Sequence, residues 1–301
     1  MVIPKYIISK SKVAITCSSG ELHLTEITQA IEVFKFWEWE LIVGETLRES
    51  KNYFSHEDAF RLQELQNFLD NPSIQAIYFG RGGYGLTRII DKINWDSFIK
   101  KPKWLIGFSD VTLLLCSVYS QFNIVSLHAP MCRAFKNYNK NKEYLNRIHE
   151  SLKGEKLNFS TSSSLSYKKG IAQGKLVGGN LAMFVHTLGT TSEVDTNSCI
   201  LFLEDVGEYL YNIDRMLWQL KRADKFSHVS GIILGGFTEL KDTQKPFGKN
   251  IVELLKDFFS EYNFPICLNF PIGHQEENLP LKYGKEHSLE VKDDMIILKE
   301  I

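Results

Sequence analysis

Short apolar runs rich in β-branched residues recur along the chain, and they constrain its fold more than any other feature of the sequence. Most of them end in Gly, Ser or an acidic residue, and near-continuous apolar runs of this length are typical of strands buried on both faces of a sheet. The predicted strands are Val13–Cys17, Ile74–Phe79, Trp104–Ile106, Ile124–Leu127, Cys199–Leu203, Gly231–Leu234 and Ile266–Phe270.

Segments with a helical spacing of apolar residues lie between these runs. The clearest begins near Ser55, which can cap a helix with Asp58 three positions later, and it ends at Asn71, which precedes a proline. Strands that alternate with helices indicate an α/β fold with largely parallel or mixed sheets flanked by helices. The further predicted helices are Val111–Tyr119, Asn180–Leu188, Ile213–Lys221 and Lys249–Phe259.

The length of 301 residues suggests about two domains, because a domain commonly contains roughly 100–200 residues. The segment 135–169 is rich in Lys, Asn and Ser and favours a polar surface connection. We therefore predict an N-terminal α/β domain over residues 1–134 and a C-terminal α/β domain over residues 170–301.

The composition excludes several classes of protein. Because 35 Lys and Arg residues face 36 Asp and Glu residues, no global positive field exists to bind a nucleic-acid backbone. No apolar stretch approaches the roughly 20 residues that span a bilayer, so a membrane partner is not expected. Scattered cysteines without a CxxC motif predict free buried thiols in a reducing, cytoplasmic location. They are Cys17, Cys116, Cys132, Cys199 and Cys267.

Residues that follow the predicted strands are the first candidates for a site, because open parallel sheets bind ligands beyond the carboxyl ends of their strands. The glycine-rich segment 80–85 follows Ile74–Phe79, and its backbone N–H groups could bind a phosphate or stabilise an oxyanion. The alternative is a tight turn between a strand and a helix. The segment matches neither a Walker loop nor a dinucleotide-binding GxGxxG motif.

Ser109 stands between the predicted strand Trp104–Ile106 and the predicted helix Val111–Tyr119. A serine at such a sharp turn is exposed at the helix N-terminus, where the helix dipole favours developing negative charge. The alternative is that Ser109 is only the N-cap of the helix.

Carboxylates and histidines follow other predicted strands. Glu204, Asp205 and Glu208 could orient a histidine, bind a metal or bind a cationic substrate, or they could form only a solvated loop. His274 is a candidate general base, and His128 is its rival. The sequence contains no HExxH motif and no His/Cys cluster with metal-ligand spacing, so neither a metal nor a cofactor is expected.

Together these candidates supply the parts that acyl transfer by an activated serine requires. The chain order of Ser109, Glu204 and His274 is also the order of α/β-hydrolases. Since Ser109 lies in the first predicted domain and the other two in the second, the active site is expected in an interdomain cleft.

The motifs, in this order and over nearly the whole chain, resemble those of the LD-carboxypeptidases. These serine peptidases include muramoyl-tetrapeptide carboxypeptidase and the microcin C self-immunity peptidases. The resemblance rests on GRGGYG at 80–85, GFSD at 107–110, LHAPM at 127–131, GGNL at 178–181, LFLEDVGE at 201–208, NIDRMLWQL at 212–220, GIILGGF at 231–237 and FPIGH at 270–274.

The resemblance implies that Ser109 is the nucleophile, Glu204 the acid and His274 the base. For the oxyanion hole we expect the N–H groups of Gly83 and of Asp110, the residue directly after the nucleophile. The chain departs from the family at 16–20, where TCSSG replaces an Ala-Pro-Ser-Gly-like turn, and Ala129 stands where Gly is common. Candidate substrate-binding residues are Arg81, Gly82, Tyr84 and Arg215.

The activity that the resemblance implies is release of the terminal D-Ala from the murein tetrapeptide L-Ala-γ-D-Glu-meso-diaminopimelate-D-Ala, in cytoplasmic peptidoglycan recycling. The resemblance also implies a homodimer. Two alternatives remain open: a microcin C-type immunity peptidase that cleaves an aminoacyl-nucleotide amide, and a non-catalytic small-ligand-binding protein on the same scaffold. Lysine-type peptides and sugar-linked peptides also remain open as substrates.

Overall fold

The computed structural model describes residues 1–48, 52–162 and 166–301. These residues form two compact units, each with its own sheet and helices, which confirms the predicted α/β fold. The first unit comprises Met1–Glu155 and Leu279–Lys282, and the second comprises Lys156–Asn278 and Tyr283–Ile301.

The strands and helices are numbered in chain order. The strands are β1 Lys12–Thr16, β2 Glu40–Val43, β3 Ile74–Phe79, β4 Trp104–Gly107, β5 Ser126–His128, β6 Asn158–Ser162, β7 Ser166–Lys168, β8 Gly170–Asn180, β9 Cys199–Val206, β10 Gly231–Thr238, β11 Ile266–Cys267, β12 Leu281–Tyr283, β13 Glu286–Val291 and β14 Met295–Glu300. The helices are α1 Thr28–Phe36, α2 Asp58–Asp70, α3 Asp96–Lys100, α4 Thr112–Phe122, α5 Tyr138–Lys153, α6 Leu181–His186, α7 Leu210–Arg222 and α8 Ile251–Phe258. Short 3-10 turns lie at Leu24–Ile27, Glu45–Leu47, Leu86–Arg88, Ile90–Lys92, Ser109–Val111 and Cys132–Asn137.

The first unit is built on a six-stranded sheet in the order β12-β5-β4-β3-β1-β2. Its strands β2, β1, β3, β4 and β5 pair in parallel. Strands β3 and β4 are buried along nearly their whole length, as expected for parallel strands with both faces covered. Aromatic rings fill the core on one side, where Phe34 lies 4.8 Å from Tyr78 and 5.0 Å from Phe135 between ring centroids.

The second unit contains an eight-stranded sheet in the order β6-β14-β13-β8-β9-β10-β11-β7. Strands β8 to β11 are parallel, and antiparallel strands extend the sheet at both ends. The continuous apolar runs predicted β9, β10 and β11. They did not predict β13 and β14, in which buried residues alternate with more exposed ones because one face is less covered.

The segment 135–169 differs from the polar connection that its composition predicted. Helix α5 lies within it and buries Leu145, Ile148 and Leu152, which share one helical face. The many Lys and Asn residues of α5 lie on its other face. The polar composition of this segment is therefore that of the solvent-facing side of a helix. The first unit therefore continues to Glu155, and residues 163–165 of the predicted connection lie outside the described residues.

The predicted cap of α2 is also wrong in detail. The helix begins at Asp58 with Glu57 at its N-cap position, whereas the Ser55 hydroxyl donates to the carbonyl of Cys17 at 2.5 Å. The predicted end at Asn71 is confirmed. None of the helices in the described ranges is long and apolar enough to cross a bilayer.

Candidate active site

Ser109 occupies the sharp turn that joins β4 to α4 in the first unit. Its φ is +62°, in the left-handed region that residues other than Gly seldom adopt. Backbone strain of this kind is common at functional sites. A strained turn from a strand to a helix is also the backbone geometry of a nucleophile elbow. Phe108 and Val111 hold the N-cap positions of the 3-10 turn and of α4, so Ser109 is not the helix N-cap.

The glycine-rich loop after β3 packs directly against this turn. A Cβ added to Gly82 would lie 2.8 Å from the Ser109 Oγ and 3.3 Å from the Asp110 backbone N. Gly82 also accepts a hydrogen bond on its carbonyl from the N–H of Gly20, at 3.1 Å. The first unit thus brings Gly82 together with Ser109 and Asp110, with Gly83 next along the chain.

The predicted substrate-binding residues lie at different places in the two units. In the first unit Arg81 is half-buried, and its Nη1 donates to the Glu21 carbonyl at 2.9 Å. Tyr84 is exposed. In the second unit Arg215 is exposed on α7, and its Nη2 donates to the side-chain oxygen of Asn212.

Glu204 and His274 meet in the second unit. Glu204 is fully buried near the end of β9, and its Oε2 lies 2.7 Å from the His274 Nδ1 and 3.2 Å from the His274 backbone N. Gly273 has a φ of +96°, and a Cβ there would lie 2.5 Å from the same Oε2. Glycine at this position therefore allows the histidine loop to close over the carboxylate.

Further hydrogen bonds hold the histidine loop in place. The N–H of Gly273 donates to the Asn278 Oδ1 at 2.9 Å, and the Thr238 hydroxyl donates to the His274 carbonyl at 2.8 Å. A loop held at both residues presents the imidazole in one orientation. With the Nδ1 proton donated to Glu204, Nε2 is the ring nitrogen that can accept a proton.

The electrostatics of this pair favour a charged imidazole. Burial opposes the positive charge of His274, but the charge of Glu204 and its hydrogen bond favour it, with smaller contributions from Asp205 and Glu239. The net result is that the pKa of His274 lies above its ordinary value. The site therefore stabilises the imidazolium that a general base becomes when it accepts a proton.

The other two acids of the EDVGE segment have different partners. Burial, followed by repulsion from Glu204, raises the pKa of Asp205 to about 7. Its carboxylate accepts from the Asn180 side chain at 2.9 Å and from the Ala182 N–H at 3.0 Å. Glu208 accepts from the side-chain amide of Asn212. Of the three acids, Glu204 is thus the one that hydrogen-bonds to His274.

The rival base His128 lies at the end of β5 in the first unit. It is fully buried, and its ring centroid lies 5.6 Å from that of Phe108 in an edge-on arrangement. Within residues 1–48, 52–162 and 166–301, no group of three or more His, Cys, Asp or Glu side chains is arranged to hold a metal ion.

Comparison with known proteins gives one consistent result. Residues 13–129 match the LD-carboxypeptidase N-terminal domain, and residues 173–289 match the LD-carboxypeptidase C-terminal domain. The chain is 30% identical to the murein tetrapeptide carboxypeptidase of Pseudomonas aeruginosa over 243 residues, which cover 76% of this chain and 77% of the relative.

Solved structures agree with the sequence matches. The muramoyltetrapeptide carboxypeptidase from Oxalobacter formigenes has a TM-score of 0.85 at 25% identity, covering 96% of this chain and 98% of its own. The Escherichia coli microcin C7 self-immunity protein MccF is 25% identical over 296 residues, which are 87% of this chain and 84% of its own. An apo MccF structure has the same fold, with a TM-score of 0.89 at 20% identity and coverage of 100% and 99%.

Both halves of the sequence match domains of the same family of peptidases. The Pseudomonas aeruginosa relative, which is named as a carboxypeptidase, is matched over 77% of its own length. The protein is therefore a serine-type carboxypeptidase, a hydrolase. The chain belongs to the LD-carboxypeptidase family.

Proposed function

We propose that this enzyme is a murein tetrapeptide LD-carboxypeptidase. Its substrate is L-Ala-γ-D-Glu-meso-diaminopimelate-D-Ala, and it cuts the bond between the L-centre of diaminopimelate and the terminal D-Ala. The substrate is suggested by the Pseudomonas aeruginosa relative, which is named for murein tetrapeptide. The observation that carries the mechanism is the buried Glu204–His274 hydrogen bond of 2.7 Å.

In the first step His274 is the general base. Its Nε2 takes the proton of the Ser109 hydroxyl as the Ser109 Oγ attacks the scissile carbonyl carbon. Glu204 accepts a hydrogen bond from Nδ1, keeps the imidazole in this tautomer and stabilises the imidazolium. The raised pKa of His274 supports this role, because it reflects stabilisation of the protonated ring.

The oxyanion that forms is stabilised by backbone donors. We assign this role to the N–H groups of Asp110 and Gly83, with Gly82 packed against the nucleophile. The close approach of Gly82 to the Ser109 Oγ supports the assignment, since it brings the glycine-rich loop to the reacting atom.

The intermediate collapses when His274 returns its proton to the leaving nitrogen, which breaks the peptide bond and frees D-Ala. A water molecule then attacks the acyl-serine ester, His274 takes its proton, and the Ser109 hydroxyl is restored. Net consumption of one water accounts for the new carboxylate on diaminopimelate.

A carboxypeptidase must also bind the free carboxylate of its substrate, and we propose Arg81 and Arg215 as candidates, with Tyr84 nearby on the Arg81 loop. A guanidinium has five N–H donors, so the bond from Arg81 to the Glu21 carbonyl leaves donors for a carboxylate. An Arg81→Ala variant with unchanged KM would remove Arg81 from this role.

We further propose a cytoplasmic role in peptidoglycan recycling and a homodimeric assembly. The buried free thiols of Cys17, Cys116, Cys132, Cys199 and Cys267 support a reducing compartment. Size-exclusion chromatography with light scattering tests the assembly directly, and a mass of one chain would contradict the dimer.

A second function has one observation in its favour. A solved MccF structure with the same fold holds glutamyl sulfamoyl guanosine, at a TM-score of 0.89 and 20% identity. Hydrolysis of an aminoacyl-nucleotide amide needs the same serine, base and oxyanion hole, so the substrate alone separates the two functions.

The first experiment incubates the purified protein with the diaminopimelate tetrapeptide, with and without EDTA, and follows D-Ala by mass spectrometry. We expect release that EDTA does not change and that Ser109→Ala reduces on the order of 10⁶-fold. Parallel reactions contain aminoacyl sulfamoyl adenosine. Cleavage of that compound alone would support the immunity function, and near-wild-type activity of Ser109→Ala would refute the mechanism.

A further inference from the structure

The carboxylate of Asp110, the residue directly after the proposed nucleophile, joins three loops of the first unit. Its Oδ2 accepts a hydrogen bond from the Ser19 hydroxyl at 2.5 Å and another from the Leu86 N–H at 2.9 Å. Ser19 belongs to the loop after β1, Leu86 ends the glycine-rich loop after β3, and Asp110 follows Ser109. We call the three residues Ser19, Asp110 and Leu86 the Asp110 clamp.

Burial increases the contribution of these hydrogen bonds to the stability of the three loops. Ser19 and Asp110 are each 1% exposed and Leu86 is fully buried, so water does not replace the bonds when they break. A hydrogen bond to a buried carboxylate is charge-assisted and stronger than one between neutral groups. The clamp therefore resists displacement of any of its three loops.

The glycine-rich loop is held at two points. Leu86 is bound by Asp110 at its far end, and the Gly82 carbonyl is bound by the N–H of Gly20 at its near end. Since Gly20 directly follows Ser19, the loop after β1 carries both supports. A shift of Ser19 would therefore move the peptide groups on either side of Gly82.

Hydrogen bonds from Ser55 and Arg61 also hold the backbone of the loop after β1. The N–H of Ser55 donates to the Ser19 carbonyl at 3.1 Å, and the fully buried Arg61 donates through Nη1 to the Ser18 carbonyl. The backbone on both sides of the Ser19 side chain is thus restrained, which leaves the Ser19 hydroxyl aimed at Asp110.

We infer that the Ser19 hydroxyl and the Asp110 carboxylate are positioning residues, which hold the amides of the glycine-rich loop in the orientation that binds the oxyanion. The inference rests on the proposed function. Because the oxyanion exists only in the transition state and the intermediates, the clamp acts on kcat, while KM depends on other contacts.

Ser19→Ala tests the clamp with little change in volume. We expect kcat for D-Ala release to fall about 10–100-fold, the range for misplaced catalytic groups and weakened oxyanion donors, with KM within about twofold. A peptide boronic acid, with boron in place of the scissile carbonyl carbon, forms a tetrahedral adduct with Ser109. Its affinity should fall by a factor similar to the fall in kcat.

Ser18→Ala is the matched control. Ser18 is the preceding residue and equally buried, yet its hydroxyl has no hydrogen-bond partner among the described residues. We expect this variant to keep the wild-type kcat and boronate affinity. Asp110→Asn is the second variant, and we expect it to lose at least as much kcat as Ser19→Ala, because it removes the charge from both bonds.

The outcomes separate the clamp from the proposed function. A wild-type protein without D-Ala release contradicts the proposed function. An active wild type whose folded Ser19→Ala variant keeps its kcat and boronate affinity, or changes only in KM, overturns the clamp alone. If Ser19→Ala does not fold, an Asp110→Asn variant with normal melting temperature and wild-type kcat overturns it.

Discussion

Replacing Glu204 by Gln is the sharpest test of the Glu204–His274 pair. The substitution keeps the size of the side chain but removes its charge. Because the same oxygen also accepts from the His274 backbone N–H at 3.2 Å, the Gln carbonyl oxygen should stay in this place and accept from Nδ1. His274 would keep its tautomer, but the positive charge that it acquires as a base toward Ser109 would lose its counter-charge.

The size of the effect follows from the geometry. At the observed 2.7 Å between Nδ1 and Oε2, an ion pair is worth about 6 kcal/mol with an effective dielectric constant of about 20. Since about 1.4 kcal/mol corresponds to a tenfold change in rate, full loss of this stabilisation corresponds to roughly 10⁴-fold. We expect kcat to fall about 10³–10⁴-fold, because Gln retains part of the polar contact.

The assay is D-Ala release from the tetrapeptide as a function of pH. A general base must be neutral to act, so the acidic limb of the kcat/KM profile follows the pKa of His274. Glu204 raises that pKa and burial lowers it, so residual activity of Glu204→Gln should have its acidic limb at lower pH. Glu208→Gln makes the same chemical change on a carboxylate bound to Asn212 and should keep wild-type kcat. A Glu204→Gln enzyme within tenfold of wild type would refute the reasoning.

Three further predictions concern other parts of the molecule. Gly82→Ala should reduce kcat at least about 10²-fold, because its methyl group would lie 2.8 Å from the Ser109 Oγ; unchanged turnover would show that the glycine-rich loop does not support the nucleophile. Asp205 has a pKa raised from 3.8 to about 7, so the folded protein binds the extra proton, and the free energy of unfolding should fall as pH rises from about 4 to about 7. Urea denaturation measures this slope, which should become shallower in Asp205→Asn, and an identical slope would contradict the assignment. Leu145→Ala should cost about 2–5 kcal/mol in the free energy of unfolding if α5 is part of the first core, whereas a loss below about 0.5 kcal/mol would fit a surface connection.

The sequence predicts the central part of both sheets well, because continuous apolar runs are produced by burial on both faces. Strand β3 has the predicted bounds, and the predicted start of β9 at Cys199 and of β10 at Gly231 is the observed one. The prediction was weakest where burial is one-sided. Strand β14 and helix α5 each present a polar face to solvent, and the polar composition of α5 therefore predicts a connection where the structure has a helix.

In the candidate site, too, the sequence predicts some features and leaves others open. Residue types at strand ends pointed to Ser109, Glu204 and His274, but spacing alone could not separate Glu204 from Asp205 and Glu208. The resemblance to the LD-carboxypeptidases selects Glu204, and the hydrogen bond from His274 in the second unit agrees with that choice. The bond between Ser19 and Asp110 joins residues 91 positions apart, and no local pattern in the sequence indicates it.

Two adjacent carboxylates on β9 have different hydrogen-bond partners, His274 for Glu204 and Asn180 for Asp205, and the register of the sheet keeps these partners distinct. Glu204 pairs in register with Asn180 of β8, and Asp205 pairs with Phe237 of β10. Since side chains alternate between the faces of a strand, a slip by one residue would exchange the two acids and turn Glu204 away from His274. An insertion or deletion in β9 upstream of Glu204 should therefore be far more damaging than one in the loop that follows β9. The hydrogen bonds of β8 and β10 to this strand therefore hold the Glu204 carboxylate within reach of His274.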